Sequence, residues 1–102
     1  MKIQMRIREF QDLIREIYFH KDSKRGFNKS FLWLIEEIGE LASALKEKEL
    51  NIEFIGAEMA DIIAWVFTLA NLLNIDIETA LIKKYPKKCS KCGSNPCICD
   101  KN

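Results

Sequence analysis

Four carboxylates carry the clearest chemical signal in the chain. Glu37 and Glu40 are three residues apart, and so are Glu58 and Asp61, with 17 residues between the two pairs. In an α-helix, residues at this spacing are surface neighbours about one turn apart. Taking Leu34, Ile38, Leu41 and Leu45 as the buried stripe of one helix, Glu37 falls roughly 60° and Glu40 roughly 120° off it, on the same side. Taking Ile55, Ile62, Val66 and Leu73 as the stripe of a second helix, Glu58 and Asp61 fall at the same roughly 60° and 120°. Trp33 and Trp65 lie between the members of each pair in angle, whereas Glu36 points nearly opposite the stripe. Antiparallel packing would bring the two pairs together. Four carboxylates at close range repel one another strongly away from water, so protons or a cation must offset them. An oxygen-only donor set suits a hard cation, Mg²⁺ or Mn²⁺. The competing reading is a solvated acidic edge on each helix. The repetition of pair plus tryptophan on two helices favours the metal.

A second constellation lies near the C-terminus. Cys89-x-x-Cys92-Gly93 has the form of a zinc-knuckle half site, and Cys97-x-Cys99 after Pro96 is a less usual second half. Four close thiolates suit tetrahedral Zn²⁺, which would organise a segment that has no apolar core. Disulfides, free thiols or an iron–sulfur cluster compete with that reading, and a Cys₄ site is structural by default.

The elements that must position these groups are helical. Residues 2–20 carry Ile3, Ile7, Phe10, Ile14 and Ile17 at spacings of three and four. The polar stretch 21–30 reads as a loop ending in Ser30 as an N-cap. A second helix is predicted over residues 31–48. Asn51 would cap a third over about 52–73, along Ile55, Met59, Ile62, Val66, Leu69 and Leu73. Asp76 would cap a short fourth reaching about Lys84, before Pro86 stops it. The expected architecture is an all-α bundle over residues 1–86, completed by oligomerisation, with a cysteine-rich tail at 87–102.

Composition narrows the function classes. With 102 residues, 48% of them hydrophobic and 30% charged, the chain reads as one globular domain. Sixteen Lys and Arg against fifteen Asp and Glu give a formal net charge of +1, no footprint for a nucleic-acid polymer. Apolar stretches are broken by charges, so no membrane span is expected. The segment Met1–Arg6 lacks an apolar signal core, and a cytoplasmic location is expected. No Ser-His-Asp set, Cys-His pair or glycine-rich phosphate loop is evident. His20, the single histidine, reads as a helix-end residue.

The order and spacing of the acidic segments resemble the MazG-like, all-α NTP pyrophosphatase superfamily. Glu36-Glu37-Ile38-Gly39-Glu40-Leu41-Ala42 is similar to its Glu-Glu-apolar-Gly-Glu-Leu-Ala segment, and Glu58-Met59-Ala60-Asp61-Ile62-Ile63 to its Glu-x-x-Asp-apolar-apolar helix. Asn74-Ile75-Asp76-Ile77-Glu78-Thr79-Ala80-Leu81-Ile82-Lys83-Lys84 resembles the stretch that follows. The likeness covers about residues 5–86. It implies that Glu37, Glu40, Glu58 and Asp61 hold Mg²⁺. It further implies that the substrate is a nucleoside triphosphate, cleaved between the α and β phosphates, and that the protein is a homodimer or homotetramer. The family often continues with a basic stretch ending in Asn-x-x-Arg-Tyr. Here Lys83-Lys84-Tyr85-Pro86 leads into the cysteines, so Lys83 or Lys84 would replace the arginine.

Within that chemistry, Glu40 is the expected acceptor of the water proton. Arg25, Lys29 and Lys83 are expected phosphate contacts, with ordinary surface charge as the alternative. Trp33 and Trp65 would stack on a base or else pack in the core. A phosphoribosyl-ATP pyrophosphatase-like enzyme, or a non-enzymatic helical interaction protein bearing a zinc knuckle, are the competing functions.

Overall fold

The computed structural model describes residues 2–100; Met1 and residues 101–102, the outer ends of the two predicted segments, lie outside them. Four helices follow in order: α1 (Ile7–Arg25), α2 (Phe27–Leu45), α3 (Ile52–Leu73) and α4 (Ile77–Lys84). No strand occurs among the described residues, and none of the described helices is long and apolar enough to cross a membrane. The all-helical expectation therefore holds.

Two of the predicted caps are in place. The Asn51 side chain accepts a hydrogen bond from the Phe54 N–H at 3.1 Å and starts α3. The Asp76 carboxylate accepts from the N–H groups of Glu78 (3.1 Å) and Thr79 (3.5 Å) and starts α4. Asn74, left-handed at φ 58°, ends α3.

The segment 21–30 is not a loop. α1 continues to Arg25 and α2 begins at Phe27, so a single residue, Gly26, joins them. Gly26 has φ +85°, a region that side chains rarely tolerate. Ser30 is not an N-cap but lies in the first turn of α2, buried, its hydroxyl donating to the Gly26 carbonyl at 2.8 Å. The polar composition of 21–25 concealed a helix held by tertiary contacts. Asp22 is 2% exposed. Its carboxylate receives Arg25 Nη1 at 2.8 Å and the Thr68 hydroxyl of α3 at 3.0 Å. At the N-terminal end, α1 begins at Ile7 rather than residue 2, with Glu9 accepting the Arg6 N–H at 3.0 Å.

α2 and α3 form an antiparallel hairpin over the short connection 46–51, and α1 packs across α3. The core joins Ile14, Leu34, Ile55, Phe67 and Ala70. The expected stripes need correcting. Leu34 and Ile55 are buried as expected, but Ile38, Leu45, Met59, Val66 and Leu73 are each 38–50% exposed. The inward faces are rotated by roughly 40° toward the acidic pairs. Leu41, Ala44, Ile62 and Trp65 are half-buried there, with Glu58 buried. Both helices are apolar on two faces, so periodicity alone does not decide which one turns inward. α4 returns to the start of α1, where Arg8 pairs with Asp76 at 2.8 Å. Gln11 ties α1 to Asn71 at 3.0 Å and to the Ile77 N–H at 3.0 Å.

Candidate functional site

The rotation of the hairpin turns Glu37 of α2 and Glu58 of α3 toward each other across the helix interface. Glu37, Glu40 and Glu58 each present a carboxylate oxygen within 4.8 Å of the other two. Asp61 lies outside that tight group but lines the adjoining cavity with Glu37. Glu58 is 7% exposed and Glu37 half-buried, while Glu40 and Asp61 sit at the exposed rim. Glu36 is exposed, as its helical angle requires.

Glu37 Oε2 and Glu58 Oε2 are both buried and have no hydrogen-bond partner. A buried carboxylate oxygen with nothing to bind is costly, and two facing each other are more so. The Glu37 carboxyl is pushed up to about 7, first by burial, then by the close approach of the Glu58 carboxyl and the negative charges of Glu40, Glu58 and Asp61. The protein itself supplies no cation to this group: among the described residues, no ion pair reaches any of the four carboxylates. An all-oxygen set with two orphaned buried atoms fits a hard divalent cation, and the residues present could hold Mg²⁺ or Mn²⁺.

Beside the carboxylates opens a cavity of about 420 Å³, within the size range of small-molecule sites. Trp33 and Trp65 form one wall, edge to face with ring centroids 5.5 Å apart. Arg25 lies over both rings, 4.5 Å from the Trp33 centroid and 5.1 Å from that of Trp65. Its Nη1 is held by Asp22 at 2.8 Å and by the Ser30 hydroxyl at 3.2 Å. Lys29 stands at the exposed edge, Nζ 5.6 Å from the Trp33 centroid. Arg25, Lys29, Trp33 and Trp65 are therefore brought together next to the acidic group.

Lys83 is not brought there. It lies on α4, which follows the far end of α3, roughly 20 Å along the helix from Glu58. Lys83 does not line the cavity.

Tyr18, Lys21, Asp22 and Thr68 line the cavity but were not among the residues expected from sequence. A signal for Tyr18 and Asp22 was present. Ile14, Tyr18, Asp22 and Arg25 continue the spacing of four, four and three along α1, which a break at residue 20 cuts.

The four tail cysteines are free, and their sulfurs all lie within 4.8 Å of one another. Backbone N–H groups of Ile98 and Ser94 hold the Cys92 thiol down to about 6, and those of Cys92 and Lys91 lower that of Cys89.

No curated protein matches the chain significantly. Residues 25–93 do match a family, the MazG nucleotide pyrophosphohydrolase domain. The matched span takes in the start of α2, both acidic pairs, both tryptophans and the first cysteine pair. It covers about two thirds of the sequence, and the chain belongs to the MazG nucleotide pyrophosphohydrolase domain family.

Proposed function

We propose that the protein hydrolyses nucleoside triphosphates, ribo or deoxy, to the monophosphate and pyrophosphate with the help of Mg²⁺ or Mn²⁺. One observation carries this reading. Two buried, unpartnered carboxylate oxygens, on Glu37 and Glu58, stand beside a nucleotide-sized cavity walled by two indoles.

Glu37 and Glu58, with Glu40 and Asp61 at the rim, would hold the ion. When bound, it would supply charge neutralisation at the phosphates and acidify water. The chain's own residues would do the rest. Trp33 and Trp65 offer ring faces and edges to a base. Lys29 does not line the cavity, but it is exposed beside Trp33 and long enough to swing toward the phosphates. Arg25 serves mainly by stiffening the wall, since Asp22 and Ser30 hold one of its nitrogens. Glu40 is exposed enough to meet water and close enough to the other carboxylates to take its proton as the α-phosphorus is attacked.

Assembly belongs to the same proposal. Phe31, Ile35, Ile38 and Leu45 on α2, and Ile52, Met59, Ile63, Val66 and Leu73 on α3, are 38–70% exposed. Their spacings of three, four and seven place them in one seam on each helix, on the outer face of the hairpin. A single chain of this size rarely leaves so much apolar surface to water. A homodimer or homotetramer built on that seam would cover it, and in a cytoplasmic setting the four thiols would stay reduced.

A panel of canonical and modified nucleotides incubated with the purified chain and Mg²⁺ tests the activity. Release of pyrophosphate from at least one of them supports it. Release from none, with the metal bound, removes it.

A further inference from the structure

The segment after α4 has almost nothing apolar to hold it. Between Lys87 and Asp100 the one large apolar residue is Ile98, and it is 73% exposed. Yet the segment is built as a defined double turn around its cysteines. Gly93, at φ +74°, closes the first turn, its N–H donating to the Cys89 carbonyl at 3.0 Å. The Cys89 N–H donates to the Ser94 carbonyl at 2.9 Å. The Asn95 side-chain amide reaches back to the Lys87 carbonyl at 2.8 Å and ties the two halves together.

The sulfur geometry is specific. Cys89 Sγ lies 3.8 Å from Cys99 Sγ, and Cys92 Sγ lies 4.0 Å from Cys97 Sγ. A tetrahedron of sulfurs about 2.3 Å from a central zinc has edges of about 3.8 Å. With all four atoms within 4.8 Å of one another, the set is sized for a single ion. An iron–sulfur cluster would stand its cysteines farther apart, because several iron atoms lie between them. Three backbone N–H groups aim at the sulfurs: Lys91 at Cys89 (3.4 Å), Ile98 at Cys92 (3.5 Å) and Cys99 at Cys97 (3.3 Å). Such donors stabilise thiolate charge and orient the ligands.

We propose that Cys89, Cys92, Cys97 and Cys99 form a structural site for one Zn²⁺ that folds the tail onto the end of α4. The site is independent of the carboxylate group in both chemistry and place. Four thiolates leave no open coordination position, so the ion has no catalytic vacancy to offer. Thiolates also bind zinc more tightly than carboxylates do, so the two sites sort a hard and a soft metal within one chain.

The test uses the full chain purified without added metal. Elemental analysis should find about one zinc per chain. The thiols should react with an alkylating reagent only after a chelator or an organomercurial releases the ion. Cys97→Ser should lose most of the zinc while circular dichroism shows the helices intact. Glu58→Gln should keep it all. Replacement with Co²⁺ should give the visible bands of a tetrahedral tetrathiolate. After zinc removal, amide resonances from residues 87–100 should collapse to disordered positions while those of α1–α3 persist. A zinc-free chain with four freely alkylated thiols would overturn the proposal. So would a mass two hydrogens lighter for each disulfide, iron in place of zinc, or loss of the zinc in Glu58→Gln.

Discussion

Glu37 on α2 and Glu58 on α3 face each other across the hairpin, each with one carboxylate oxygen shut away from solvent and bonded to nothing. Helix packing that left both groups ionised, with neither a cation nor a proton between them, would avoid that arrangement. The first expectation follows directly. Glu37→Gln, Glu40→Gln, Glu58→Gln and Asp61→Asn should each lower turnover by at least about 100-fold. In the absence of Mg²⁺ each should leave the thermal midpoint unchanged or raised, because crowded negative charge has been removed. Glu36→Gln, on the exposed side, should keep most of the activity. Assay and thermal melts of the five variants check both halves.

Stability without metal should depend on pH in an unusual direction. The Glu37 carboxyl is raised from about 4.5 to about 7 in the folded chain. Between those values the folded chain holds a proton that the unfolded chain has lost, so stability falls as pH rises. The contribution is full below about 4.5 and lost above about 7. Melts in a chelator should therefore show a midpoint that drops over this window, with a smaller drop in Glu37→Gln. Mg²⁺ must displace the same proton, so its affinity should rise through pH 7. A midpoint that rises across the window in the wild type would contradict the assignment.

Arg25 and Asp22 form a nearly buried pair, their side chains 14% and 3% exposed. Removing the cation leaves Asp22 with the Thr68 hydroxyl alone. Arg25→Ala should destabilise the fold by roughly 3 kcal/mol. It should also raise KM more than it lowers kcat, since both indoles lose the group packed over them. Denaturant unfolding and steady-state kinetics separate the two effects.

The outer seam of the hairpin should be an interface. Light scattering at micromolar concentration should give a dimer or a tetramer. Ile38→Glu combined with Ile63→Glu should give smaller species, because both charges would be buried at the contact. A wild-type monomer would contradict the proposed assembly.

The sequence exposes some of this organisation and hides the rest for identifiable reasons. The pairs Glu37/Glu40 and Glu58/Asp61 are visible because helical spacing is periodic and carboxylates rarely belong on an inward face. Asn51 and Asp76 are visible as caps because their chemistry is local. The helix through Lys21–Arg25 is not, because its support comes from Thr68, which is distant in sequence. For the same reason the break was expected at residue 20 rather than at Gly26. The facing of α2 and α3 was misjudged by roughly 40°, since Ile38 and Leu41 are equally apolar and only packing distinguishes them. Lys83 matched by position along the chain, but the chain ends α3 and turns away before reaching it.

The measurement closest to the central claim identifies the bond that breaks. Hydrolysis of an active nucleoside triphosphate in ¹⁸O-labelled water, with Mg²⁺ present, should yield unlabelled pyrophosphate and a monophosphate carrying the label. That result places attack at the α-phosphorus, as the proposed reaction requires. Labelled orthophosphate with a nucleoside diphosphate, or no turnover of any nucleotide by the metal-loaded protein, would contradict it.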